Sequence, residues 1–220
     1  MTLPNPPFAA RTAGALLVAT TVLSLLALSH HPTAGGDDAA AVVAQVRAVG
    51  GMARAVHGAL LALMLVQWLC LLEFSCYRGL LAWGNRSGLL LWSAGTLAMG
   101  VAALLSGFVV PALADQTGAG ALDPASVVAQ MAFAHALNQS FAVSGSLLMA
   151  AAVMAWSSGL LRSVGWARPL GAFGLVAGAA IALLLVGGIV RLDVHGMLLV
   201  WSVLSAWLLL VGIGLVARRL

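Results

Sequence analysis

Apolar residues run almost unbroken through six stretches of this chain, roughly 12–30, 55–76, 88–110, 141–161, 169–190 and 194–217. Each is close to the ~20 residues a helix needs to cross the hydrocarbon core of a bilayer, and each is bounded by charge, Pro or Gly. The runs are rich in Leu and Ala and lack the alternation of a barrel wall, so they read as helices rather than strands. Two shorter segments, at about 38–50 and 124–138, have another pattern. Val42, Val43, Val46 and Val49 share one helical face, as do Val127, Val128, Met131 and Ala134. Asp38 and Asp123 stand where an N-cap belongs, and Pro124 where a first helical residue is tolerated. These segments are expected to lie as short amphipathic helices on the outer membrane surface. The pattern therefore predicts an all-α integral membrane protein of one domain, residues 1–220. Its six transmembrane helices form three hairpins, with the two amphipathic helices on the outer, periplasmic side.

Composition agrees and sharpens the exclusions. Of 220 residues, 62% are hydrophobic and 7% charged, where a soluble domain carries about 25% charged residues. A soluble globular domain, a disordered chain and a nucleic-acid binder are all excluded, despite a net charge of +4. That charge reports topology. Arg11, Arg78, Arg86, Arg162, Arg168, Arg218 and Arg219 fall on alternate connections or termini. The others hold Arg47, Arg54 and Arg191 with Asp37, Asp38, Asp115, Asp123 and Asp193. The positive-inside rule puts the seven-Arg side in the cytoplasm, with both termini, and suggests a bacterial inner membrane. Residues 13–28 resemble a signal peptide, but Ser29-His30-His31-Pro32 offers no convincing cleavage site. The segment is expected to be a retained helix.

An internal repeat is visible on the outer side. Residues 38–45 match residues 123–130 at six of eight positions, and Ala55-Val56-His57-Gly58 resembles Ala142-Val143-Ser144-Gly145 and Val194-His195-Gly196. Gly174 and Gly178, and the face formed by Gly95, Ala98, Ala102 and Ser106, are small enough for close helix packing in lipid. Trp83, Trp92, Trp156 and Trp166 fall near the cytoplasmic ends and are expected to be interfacial anchors.

The chemistry worth weighing lies with histidine. His30, His31, His57, His135 and His195 all fall on the side assigned as outer, although the assignment used only Arg and Asp. Imidazole is the commonest transition-metal ligand. Convergence of three or four of these rings would make a periplasm-facing site for copper, zinc or iron, used in metal handling or membrane-surface redox chemistry. Asp37, Asp38, Asp193, Asn138 and Gln139 are the candidate alternative ligands or hydrogen-bond partners of the rings. A b-type haem held by two imidazoles, with Arg54 and Arg191 on its propionates, is the alternative for an electron-transfer subunit. A third reading is a non-catalytic scaffold, in a homo-oligomer or against a partner in a larger membrane complex. Glu73 can snorkel towards Arg78, and Cys70 and Cys76 do not form a redox pair. No nucleophile elbow, phosphate loop or carboxylate pair is present. The near absence of charge from the spans disfavours ion-driven transport.

Overall fold

The computed structural model describes residues 6–118 and 122–220. Seven α-helices appear in these residues: α1 (Pro6–Ser29), α2 (Ala39–Tyr77), α3 (Trp83–Leu104), α4 (Val110–Gly118), α5 (Pro124–Leu160), α6 (Ala167–Val186) and α7 (Val194–Val216). A π-turn, Leu105–Val109, joins α3 to α4 without a break. Among the described residues there are no strands, and six helical segments are long and apolar enough to cross a membrane. Leu65, Leu97, Val176 and Leu183 point outward with 60–72% of their surface exposed, which suits hydrocarbon and not water.

Two expectations change. The segments 38–50 and 55–76 are one 39-residue helix, α2, and residues 124–160 are one 37-residue helix, α5. At 1.5 Å per residue α2 is about 58 Å long, nearly twice the hydrocarbon thickness. The Gly50-Gly51 pair, which suggests a boundary, stays helical because Gly50 packs on Pro111 of α4 and Ala53 and His57 continue the buried face. The amphipathic faces also do not lie flat on a surface. Val43, Val46, Val127 and Met131 bury against one another and against Ala114 of α4, forming a small second core. The valine faces expected to meet the membrane surface meet each other instead.

The capping chemistry follows the sequence. Asp38 accepts from the Ala41 amide, Asp123 from Ser126 and Asp193 from Gly196, each opening a helix. The hydrogen bonds from Ser126 hold the Asp123 carboxyl below its ordinary pKa.

Packing in the main core depends on small residues. α1 lies between α2 and α7, α3 packs on α5, and α5 on α6. In lipid the hydrophobic effect does not bring helices together, so close backbone approach must do so. Gly95 and Gly145 face each other across α3 and α5; a Cβ on either would come within 3.1 Å of the other's carbonyl oxygen. The buried stripe of α3 is Gly88, Trp92, Gly95, Met99 and Ala102. Here the expectation for tryptophan is corrected in part. Trp83 and Trp166 are exposed, but Trp92 and Trp156 are buried with Trp207 and Phe74. The Trp156 and Trp207 rings stack at 5.8 Å, and the Trp156 indole N–H donates to Ser75 Oγ at 3.0 Å.

Candidate functional site: a histidine pair beside a π-turn

His57 lies on the buried face of α2, one turn after Ala53, whose carbonyl is 2.8 Å from the imidazole Nδ1. A carbonyl oxygen only accepts, so Nδ1 carries the proton and Nε2 of the neutral ring presents a lone pair. That Nε2 faces Nε2 of His31, in the segment leaving α1, at 3.2 Å. The two rings meet edge to face, with centroids 4.9 Å apart and planes at 74°. His57 is 6% exposed and His31 is half-buried.

The π-turn forms one wall. Pro111 has no N–H to give the Gly107 carbonyl one α-turn earlier, and its ring would crowd that carbonyl, so a regular α-helix cannot continue there. The wider turn seats Gly107 directly on His57. A Cβ at Gly107 would collide with the His57 Cβ and lie 2.6 Å from its Cγ. Asn138 of α5 secures the turn by donating to the Ala102 carbonyl at 2.7 Å and to Ser106 Oγ at 2.9 Å. Gly107, Ser106 and Pro111 were not among the candidates from sequence. Their signal is a proline four residues after a glycine inside an apolar run.

The remaining candidates have other places. Among the described residues no group of three or more His, Cys, Asp or Glu side chains is placed to hold a metal ion; where three or four rings were expected to converge, His31 and His57 are the two that meet. His30 Nδ1 is 2.8 Å from the Leu26 carbonyl, on the exposed end of α1. His135 and His195 are exposed on α5 and α7. Their separation has a simple cause: each is on the outward side of its helix, whereas His57 is inward. The Asp38 and Asp193 carboxylates cap helices, and Asp37 is exposed. Gln139 donates to the Leu192 carbonyl and ties down the turn between α6 and α7. Arg54 pairs with Asp115 at 2.8 Å, while Arg191 is exposed.

Burial pushes the His31 pKa below its ordinary value. In the unfolded chain His31 takes up a proton as pH falls through about 6.5, while the folded ring still resists it. Its contribution to stability is therefore complete above that value and is lost progressively below it, down to the folded pKa. Thermal unfolding in detergent should give a flat Tm between pH 8 and pH 7 and a declining one below about 6.5. His31→Gln should flatten the decline; an unchanged slope would move its origin elsewhere.

Comparison with protein-family models, with curated proteins and with solved structures gave no match for this chain.

Proposed function

We propose that this is a multi-pass membrane protein that holds a transition-metal ion between His31 and His57, for metal handling or redox chemistry at the membrane surface. The single observation that carries the reading is the 3.2 Å separation of the two Nε2 atoms. Two imidazole nitrogens bound at 2.0–2.1 Å to one tetrahedral ion stand about 3.3 Å apart, so the rings need almost no movement to share one. The hydrogen bond from His57 Nδ1 to Ala53 supports it, because it points the lone pair of Nε2 at the shared position. Copper is favoured slightly over zinc and iron, because it heads the affinity order of the first-row divalent ions at such nitrogen donors and zinc sites usually take three or four protein ligands.

Haem receives less support. Axial ligation sets two imidazoles on opposite faces of a macrocycle, whereas these rings touch, and Arg54 already has an acidic partner. In the orientation favoured by the Arg distribution, both termini and the Arg-rich end face the cytoplasm of a bacterial inner membrane, and the pair faces outward. The three-hairpin arrangement and the internal repeat belong to the same reading.

Elemental analysis of protein purified from copper-supplemented cells tests it, with about one copper per chain expected. Background copper, zinc and iron, with no Soret absorbance, would replace the metal reading with the scaffold one. Gly107→Ala supplies a second test. Its Cβ displaces the His57 ring, so metal affinity should drop about 10–100-fold, as for other supports of a ligand ring, at about 1–3 kcal/mol in stability. Full affinity in a folded Gly107→Ala protein would count against the site.

A further inference from the structure

At the opposite end of the bundle, where α2 ends and α3 begins, a cavity of about 370 Å³ is lined by Arg78, Trp83, Asn85, Trp156, Ser158 and Arg162, among others. Two guanidinium groups line it and no carboxylate does. Arg54–Asp115 is the only ion pair among the described residues, so neither Arg78 nor Arg162 is neutralised by one. Arg78 is held in place: it donates to Ser163 Oγ at 2.6 Å, and the Asn85 side-chain amide donates to the carbonyls of Arg78 and Gly79. The first turn of α3, 22 residues long, opens onto the same cavity, and its N-cap, Ala82, has no side chain to satisfy the first amides. Free amide N–H groups at a helix start together with two arginine forks are the ordinary chemistry of phosphate recognition.

The surroundings say where the phosphate comes from. Trp83, which lines the cavity, and Leu81 and Val164, each within two residues of a lining residue, are 69–90% exposed, and apolar and indole groups of this kind suit the headgroup level of a bilayer. The cavity offers no anion to the ammonium group of a zwitterionic lipid. We infer that it binds the phosphate of an anionic phospholipid headgroup, with Arg78 and Arg162 as its grips. This site is separate from the histidine pair and independent of any metal there.

Native mass spectrometry of the detergent-purified protein, offered equal phosphatidylglycerol and phosphatidylcholine, reads the preference. Phosphatidylglycerol should be retained about tenfold better, the worth of one charge-assisted hydrogen bond. Arg162→Gln should erase that preference and Arg162→Lys should keep part of it. Arg86→Gln, which removes the same charge from an exposed position on α3 outside the cavity, should leave it intact. Arg162 is exposed, and its one hydrogen bond is from the backbone amide to the Gly159 carbonyl, which a change of side chain keeps, so the substitution should not unfold the bundle. Equal retention of the two lipids, or equal loss in the Arg162→Gln and Arg86→Gln proteins, would overturn the site. Displacement of the lipid by millimolar inorganic phosphate would overturn the lipid assignment and give the cavity to a soluble phosphate.

Discussion

Replacing His57 by Ala should reduce retained copper from about one ion per chain to background, and His31→Ala should do the same. Neither imidazole holds an ion alone, so the losses are not additive: the double variant should look like either single one. His31 is the cleaner position, since it is half-buried and follows α1, whereas removing the His57 ring also empties the space against Gly107. Replacing His30, His135 or His195 by Ala should leave the copper content unchanged, because each of these rings is exposed and outside the pair. Copper measured by atomic spectroscopy on all five variants separates the possibilities. Retention in the His31 and His57 variants would remove the basis of the proposed function; loss in the other three would mean a larger site than the pair.

Trp156→Ala should cost about 3–5 kcal/mol, as truncation of a large buried aromatic side chain usually does. The ring touches Trp92, Trp207 and Phe74 and donates to Ser75. Its removal opens a void where α2, α3, α5 and α7 meet and leaves a buried hydroxyl without that donor. In lipid the loss is one of dispersion contacts and not of water exclusion, so the membrane cannot refill it easily. Trp83→Ala, at a position 69% exposed, should be close to neutral. Unfolding in mixed detergent micelles gives both values; similar losses for the two would contradict the central aromatic cluster.

The contrast between these two tryptophans shows what the sequence reveals. Apolar spans and the two Asp caps are legible because they depend on local composition. Asp38 and Asp123 each start a helix as expected, although both helices run well past the short segments predicted. Trp156 and Trp83 cannot be told apart that way, since both are tryptophans near a span end and only the packing of α5 against α3 and α7 decides which is buried. The stripe from Gly88 to Ala102 does carry the signal for Trp92 in its alternating spacing of four and three. For the histidines, composition nominates all five, but the choice of His31 and His57 depends on how α1 and α2 pack, 26 residues apart in the chain. The full length of α2 is not legible, because Gly50-Gly51 locally favours a break and only the contact of Gly50 with Pro111 outweighs it.

The π-turn has an effect beyond the ring it touches. Ahead of it, α3 buries Gly95, Met99 and Ala102; continuing that spacing would bury Ser106 and Leu113, yet the buried residues are Gly107, Pro111 and Ala114. One inserted residue has rotated everything downstream by about 100°. Winding the same residues as a regular α-helix would instead turn Pro111 and Ala114 about 100° away from α2, uncoupling the upper bundle from the lower by a change in phase alone.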